Sequence, residues 1–343
     1  MKALTAALAT AALLAAAPAT QAAVSVGIAD SDGDTFTDRA WPGLNVTMGR
    51  AVAPYDVALT APVAGTPAGD RRIEFDQWVS AAQSAGVQPL VAFEASRDPA
   101  KRAPDGLPLA PTVAEYSNAL SAFLSAYPTV RHLAPWNEPN FSGSSNPLSG
   151  SPSLAASYYR ELVSVCARAG AGCTVAAGDF AGVPGDPYVG SYQAALGSAR
   201  PAVWAFHAHT DANRFQAGTD STAPATRFFL GKLAGKWANS QLWIDEVGAY
   251  YRDANGTLWG DDSQRATTSF ILGLASLSPR ISRIYYYNLS NECSTAARCA
   301  VQDRGVVAPS PWDGTPLDYD TAGRIRPNYA VIANRGPIIA PAR

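Results

Sequence analysis

Charged and polar side chains stand directly after short apolar runs throughout this sequence. They are Asp30, Arg50, Glu94, Asn137, Glu138, Asp179, His207, His209, Asp245, Glu246, Tyr287 and Asn288. Two carboxyl groups, one protonated and one ionised, can together cleave a glycosidic bond. A chain that served only as a scaffold would have no need for acids, an arginine and histidines at almost every such position. The pattern therefore predicts an acid-rich pocket built for hydrolysis.

The apolar runs alternate with amphipathic stretches of helical spacing, which indicates βα units and a parallel sheet. Eight strands are predicted at Val24 to Ala29, Asn45 to Ala51, Gln88 to Phe93, His132 to Trp136, Thr174 to Gly178, Ala202 to His207, Gln241 to Asp245 and Arg283 to Tyr287. Helices are predicted at Phe75 to Ala85, Val113 to Ala126, Ser153 to Ala169, Ala225 to Trp237 and Ser263 to Leu277. Eight strands with helices between them favour a single α/β domain, a (β/α)8 TIM barrel spanning residues 24–343. Such barrels place their active sites at the C-terminal ends of the strands.

The segment from Trp136 to Asn140 reads Trp-Asn-Glu-Pro-Asn and follows the fourth predicted strand. It resembles the Asn-Glu-Pro signature of the clan A retaining glycoside hydrolases, most closely families 39 and 5. The resemblance implies that Glu138 is the general acid/base. Glu246-Val247-Gly248, after the seventh strand, is similar to the clan's nucleophile segment and implies that Glu246 is the nucleophile. The resemblance to the clan covers essentially the whole chain after its N-terminal segment at the level of strand order.

The same resemblance implies roles for residues around these two glutamates. Asn137 would bond the sugar 2-hydroxyl, and Arg50 would steady the nucleophile's charge. His207 and His209 occupy a position where the clan often has His-x-Tyr, so His209 replaces the tyrosine that contacts the nucleophile; Tyr287 is a second candidate for that contact. The other expected substrate-binding residues are Trp136, Asn288 and Asp30.

Asp245 is a rival to Glu246 as nucleophile. Side chains alternate along a strand, so only one of the two is expected to point into the barrel mouth. The Glu-x-Gly match favours Glu246. If Asp245 were the nucleophile, the carboxyl separation would change and an inverting mechanism would become possible.

Two other functions fit parts of the pattern. His207-Ala208-His209 is a possible metal-binding pair for a metal-dependent hydrolase, but metal sites need further ligands, and the remaining histidine, His132, begins the fourth strand at the opposite end. A carbohydrate-binding barrel that has lost catalysis is the second alternative. We expect no metal and no cofactor.

Bulk properties narrow the class of protein and its partners. The chain has 343 residues and a formal net charge of -2, and its lysines and arginines are scattered, which argues against nucleic-acid binding. Lys2 followed by an Ala-rich apolar run predicts a signal peptide over residues 1–22. No later segment is long and apolar enough to span a membrane. We therefore expect a secreted, bacterial, monomeric protein whose partner is an oligo- or polysaccharide.

Export makes disulfides possible, and the cysteine count is even. The four cysteines form two local pairs, Cys166 with Cys173 and Cys293 with Cys299. Each pair is expected to form a disulfide that closes a short loop.

Overall fold

Eight parallel strands form a closed barrel in the computed structural model, which describes residues 24–143, 146–291, 302–310 and 320–342. The strands are β1 Ser25–Ala29, β2 Met48–Pro54, β3 Gln88–Glu94, β4 His132–Ala134, β5 Thr174–Ala181, β6 Val203–His207, β7 Gln241–Val247 and β8 Ile281–Tyr286. β1 pairs with both β2 and β8, which closes the barrel. The predicted (β/α)8 fold is confirmed. The ends of the strands differ from the predicted ones by up to three residues, most at β2 and β5.

The helices that cover this barrel are α1 Pro67–Ser84, α2 Val113–Ala126, α3 Pro152–Arg168, α4 Pro187–Ala195, α5 His209–Gln216, α6 Pro224–Lys232, α7 Gly260–Gly273 and α8 Pro327–Asn334. α2 has the predicted bounds, and it begins with a capping box between Thr112 and Glu115. α4, α5 and α8 were not predicted. Each has only eight or nine residues, so its apolar face repeats too few times to stand out in the sequence.

Small and large apolar side chains alternate in filling the interior of the barrel. This inner cluster contains Ala29, Met48, Leu90, Ala92, Ala134, Ala176, Val203, Ala205, Trp243 and Tyr285. A second and larger apolar cluster, rich in aromatic rings, lies between the strands and the surrounding helices. The apolar interior supports a layer of charged side chains at the C-terminal ends of the strands.

A bulge in β5 turns Asp179 toward the barrel axis. The pairing of β5 with β6 shifts between Ala177 and Phe180. Gly178 accommodates the extra residue with a φ of +85°, and a Cβ atom there would collide with the ring of Phe180. Ala176 packs inside the barrel and Phe180 outside it. The bulge, which permits only glycine without strain, therefore places Asp179 in the interior.

A second bulge in β7 brings Asp245 and Glu246 to the same side. Phe206 pairs with Ile244, whereas the next residue, His207, pairs with Glu246, so Asp245 is the extra residue. Both carboxyl groups lie within 3.6 Å of Arg50. The expectation that only one of them points into the barrel mouth is wrong, because strict alternation fails at a bulge.

Cys166 and Cys173 form a disulfide that joins the end of α3 to the start of β5. The predicted Cys293–Cys299 pair and the predicted signal peptide lie outside the described residues. Among the helices that are described, none combines the length and apolar character needed to cross a membrane.

Replacing Gly178 with Ala should destabilise the protein by about 1–3 kcal/mol, because it adds steric conflict to a left-handed backbone. Gly197→Ala is the matched control, since Gly197 has a φ of +60° but open space around it. Chemical denaturation of both variants measures the difference. Equal losses would show that the contact with Phe180 does not constrain the bulge.

Candidate active site

The guanidinium group of Arg50 connects the C-terminal ends of β4, β5 and β7. Its Nη1 atom donates to Glu246 Oε2 at 2.6 Å, and its Nη2 atom donates at 2.8 Å to both Asp179 Oδ2 and Asn137 Oδ1. Asp245 Oδ2 lies 3.6 Å from Arg50 Nε. The Arg50 side chain is only 1% exposed. A buried cation of this kind needs such compensating anions.

His207, at the end of β6, bridges two carboxylates. Its Nδ1 atom lies 2.8 Å from Glu138 Oε1 and its Nε2 atom lies 2.7 Å from Asp179 Oδ1. Burial alone would lower the pKa of His207, but the charges of Asp179 and Glu246 and the two hydrogen bonds raise it well above the usual value. These charges and hydrogen bonds favour a protonated imidazole, which would donate from both nitrogens.

Backbone hydrogen bonds on both sides hold the segment that carries Glu138. The Asn137 amide donates to the Phe93 carbonyl at 2.6 Å, and the Glu138 amide donates to the Asp179 carbonyl at 2.7 Å. Glu138 has a φ of +44°, an uncommon conformation for a residue with a side chain. Strained residues of this kind cluster at functional sites. The carboxyl group of Glu138 remains 25% exposed.

Glu246 is the most strongly charge-stabilised carboxylate of the site. Burial would raise its pKa, but the charges of His207 and Arg50 and a hydrogen bond from His209 lower it well below the usual value. His209, the first residue of α5, places its Nε2 atom 3.1 Å from Glu246 Oε1. The ring of Tyr287 meets that of His209 edge-on at 6.1 Å. His209 thus makes the hydrogen bond to Glu246 for which Tyr287 was the second candidate.

Burial and the charge of His209's neighbours keep this imidazole neutral. Burial and the positive charge of Arg304 lower the pKa of His209, although the hydrogen bond to Glu246 opposes the shift. A neutral imidazole carries one N–H, so Nε2 donates to the ionised Glu246 and Nδ1 bears the lone pair. The two histidines of the site therefore hold opposite protonation states.

Asp179 and Asp245 form a buried pair beneath the two glutamates. Burial and the negative charge of Asp179 raise the pKa of Asp245 well above the usual value, despite Arg50 and His207. The pKa of Asp179 is lowered, because those same two cations outweigh the effect of its burial. The pKa values of the two carboxyl groups are therefore shifted in opposite directions. The sequence marked Asp179 only as a residue at a strand end, and no sequence signal revealed the bulges that bring the two together.

Two residues expected to bind substrate do not face the cleft. Trp136 is 2% exposed and packs in the outer core, with its ring against Tyr55, Tyr116 and Tyr158. Asn288 is buried and donates from Nδ2 to the Ser290 carbonyl at 2.7 Å. Both expectations are wrong, because Trp136 lies on the outward side of the chain after β4 and Asn288 supports the loop after β8.

Asp30 lies in the wall of the cleft and also anchors that loop. Its Oδ2 atom accepts from the amides of Leu289 at 3.0 Å and Ser290 at 3.3 Å. Burial raises the pKa of Asp30 to about 7, although these backbone hydrogen bonds oppose the shift. Asp30 therefore lines the cleft, and its role in substrate binding stays a prediction.

A cleft of about 990 Å³ opens above the charged layer. Arg50, Asn137, Glu246, Tyr287 and Asp30 line it, and its wall continues along α1. The volume is at the upper end of that of ordinary small-molecule sites. Glu246 thus faces a space large enough for a sugar-sized ligand.

Two groups of side chains have the spacing that metal ligands also show. Ligand atoms of His207, His209 and Glu246 lie within 4.8 Å of one another, as do those of Asp179, His207 and Asp245. His207 belongs to both groups, and its two ring nitrogens already contact Glu138 and Asp179. The positive charge of Arg50 would also repel a divalent ion bound beside it. The arrangement fits a hydrogen-bonded charge cluster better than a metal site.

Neither a protein-family model nor a curated protein matches this sequence. Several solved structures share its fold. The glucosidase from Croceicoccus marinus superposes with a TM-score of 0.61 at 16% identity, covering 91% of this chain and 66% of that one. A family 39 glycoside hydrolase from Bacteroides cellulosilyticus gives 0.56 at 16% identity, covering 92% and 63%. The chain thus spans slightly less than two thirds of the length of these two proteins.

A GH5_18 protein from Streptomyces cattleya, solved with Manb1-4GlcNAc, gives a TM-score of 0.60 at 16% identity, covering 91% of this chain and 80% of that one. Identities this low show a common fold. The resemblance to clan A glycoside hydrolases is therefore confirmed at the level of the barrel, and the roles of individual residues rest on the geometry described above.

The charge on His207 should make its contribution to stability depend on pH. Its pKa is raised on folding, so the stabilisation is complete below the unfolded value and is lost as pH rises through the folded value. The difference in melting temperature between the wild type and His207→Gln should therefore be larger at about pH 6 than at about pH 10.

His132→Gln provides a control of opposite sign. Burial, together with the charge of Arg283, lowers the pKa of His132 to about 4. Its contribution therefore falls as pH drops, and the difference between the wild type and His132→Gln should shrink at acidic pH. Parallel trends for the two variants would contradict a protonated His207.

Proposed function

We propose that this protein is a glycoside hydrolase that cleaves β-linked O-glycosidic bonds with retention of configuration. The observation that carries the proposal is the placement of Glu138 and Glu246 at the ends of β4 and β7, joined through His207, Asp179 and Arg50. One glutamate is held ionised between cations, while the other is partly exposed. Retaining hydrolysis needs such a division between two carboxyl groups.

In the first step, an ionised Glu246 attacks the anomeric carbon while Glu138 protonates the departing glycosidic oxygen. The bond from the anomeric carbon to that oxygen breaks, and a glycosyl ester of Glu246 forms. Arg50 and His209 hydrogen-bond the attacking carboxylate and fix its orientation. Asn137 accepts from Arg50 through Oδ1, so its amide N–H groups stay available for the sugar 2-hydroxyl.

In the second step, Glu138 accepts a proton from a water molecule that attacks the same anomeric carbon. The ester bond to Glu246 breaks, the sugar is released, and both carboxyl groups return to their starting states. Two displacements at one carbon restore its original configuration. No metal or cofactor takes part in these steps.

The substrate we propose is an oligo- or polysaccharide. The cleft above Glu246 supports this, as does the fold shared with a glucosidase and with a protein bound to Manb1-4GlcNAc. We further propose that the protein is exported after removal of its N-terminal segment and acts as a monomer. N-terminal sequencing of the secreted protein and its sedimentation behaviour test these two points.

Glu138→Gln and Glu246→Gln should each abolish most turnover of phenyl β-glycosides and polysaccharides. Removing a general acid/base costs about 10²–10⁴-fold in rate, and removing the nucleophile should leave only background hydrolysis. Asp245→Asn is the matched control next to Glu246. Because burial and the charge of Asp179 raise the pKa of Asp245, an uncharged amide at this position should retain most of the activity.

Each alternative function predicts a different result in the same assay. Loss of activity in Asp245→Asn, with Glu246→Gln still active, would make Asp245 the nucleophile. Inactivation by a chelator would favour a metal-dependent hydrolase. Glycan binding that survives both glutamine substitutions, without turnover by the wild type, would identify a carbohydrate-binding barrel.

Azide should restore activity to alanine variants and distinguish the two roles. In Glu246→Ala, azide should replace the missing nucleophile and give a glycosyl azide of inverted configuration. In Glu138→Ala, azide should attack the glycosyl ester and give a product of retained configuration. NMR of the products measures the anomeric configuration, and the same configuration from both variants would contradict the assigned roles.

A further inference from the structure

We propose that His207 stores the proton that Glu138 delivers to the departing sugar oxygen, and that Asp179 positions His207 for this transfer. The inference rests on the proposed role of Glu138 as the acid/base. It goes beyond that role because it assigns His207 as the source of the proton. It also assigns Asp179, which had no predicted function, as the residue that positions His207.

His207 has two unequal carboxylate partners, and the Nη2 atom of Arg50 lies 3.1 Å from its Nε2 atom. Asp179 Oδ1 lies 2.7 Å from Nε2, and the other oxygen of the same carboxylate accepts from Arg50 at 2.8 Å. Glu138 Oε1 lies 2.8 Å from Nδ1, and no comparable cation is hydrogen-bonded to Glu138 among the described residues. The proton on Nε2 therefore faces Asp179, which Arg50 already stabilises. The proton on Nδ1 faces Glu138, whose stabilisation depends on His207.

Charged and titratable groups surround His207 from every strand that packs against it. They are Arg50 on β2, Glu138 after β4, Asp179 on β5, Asp245 and Glu246 on β7, and His209 after β6. His207 itself is 1% exposed. Burial together with the charges of Asp179 and Glu246 leaves its pKa well above the usual value. The protonated imidazole is thus the resting state of the free protein.

Substrate binding supplies the reason for the proton to move. Glu138 is partly exposed before binding, so water reaches its carboxyl group. A sugar that covers Glu138 removes this water, and an ion pair loses stability relative to the neutral pair when it is desolvated. The Nδ1–H bond then breaks and an O–H bond forms on Glu138 Oε1. His207 becomes neutral and keeps its Nε2–H bond to Asp179, so the pair keeps the same net charge.

The proton count closes over the catalytic cycle without another reactant. Glu138 gives the proton to the leaving oxygen and becomes the carboxylate that serves as base. It then takes a proton from the attacking water. On product release, water returns to Glu138, and the proton moves back from Glu138 to Nδ1 of His207.

A series of aryl β-glycosides with leaving groups from phenol to 2,4-dinitrophenol tests the proposal. A good leaving group needs no acid, so loss of the stored proton should slow only the poor ones. We expect kcat/KM of His207→Gln to fall by about 10²–10⁴-fold on phenyl glycosides and by less than about tenfold on dinitrophenyl glycosides. Glu138→Gln should show the same dependence, and Asp179→Asn an intermediate one.

The outcomes separate this inference from the proposed function. An equal loss for His207→Gln on all leaving groups, beside a leaving-group-dependent loss for Glu138→Gln, would overturn the inference alone. No leaving-group dependence in Glu138→Gln would overturn its role as acid and the inference with it. An inactive wild type would overturn the proposed function.

Nitrogen-15 NMR of the wild type gives an answer even if the His207 variant does not fold. The chain has three histidines, so the spectrum is simple to assign. At neutral pH, His207 should carry protons on both ring nitrogens in the free protein. It should lose the Nδ1 proton when a non-hydrolysable glycoside covers Glu138. A neutral His207 in the free protein would overturn the proposal.

Discussion

The buried guanidinium group of Arg50 is the constraint on which the rest of the site depends. Removing such a cation from water costs several kcal/mol unless anions and hydrogen-bond acceptors surround it. Asp179, Glu246 and Asn137 meet this need from three different strand ends. The interaction therefore fixes the positions of the catalytic candidates relative to one another, and it also couples their charges.

The coupling explains how four carboxyl groups can share one end of a barrel. With Asp179 and Glu246 ionised beside Arg50 and a protonated His207, the two negative and two positive charges balance. A further charge on Asp245 would have no partner of its own, and its pKa is accordingly raised. Glu138 lies at the exposed edge of this cluster, where its side chain is 25% exposed. The cluster thus separates a carboxylate held between cations from one that a ligand can reach.

Much of this arrangement could be predicted from the sequence. The alternation of apolar runs with helical patterns indicated the barrel, and the Asn-Glu-Pro and Glu-x-Gly segments placed Glu138 and Glu246 at strand ends. The hydrogen bonds of Asp179 and the position of Asp245 beside Arg50 could not be predicted, because a bulge depends on the pairing between strands and leaves no periodic signal. Trp136 was misplaced for a similar reason: the chain after β4 turns its neighbours Asn137 and Glu138 inward while the indole packs outward. α5, which positions His209, was too short to be recognised.

The most direct test of the central claim is to trap the nucleophile. A panel of 2,4-dinitrophenyl 2-deoxy-2-fluoro-β-glycosides should inactivate the wild type, because the fluorine slows hydrolysis of the glycosyl ester more than its formation. Mass spectrometry of the digested protein should then place a single sugar on Glu246, with no label in Glu246→Gln and normal labelling in Asp245→Asn. A label on Asp245, or turnover of the parent glycosides without any covalent adduct, would contradict the account.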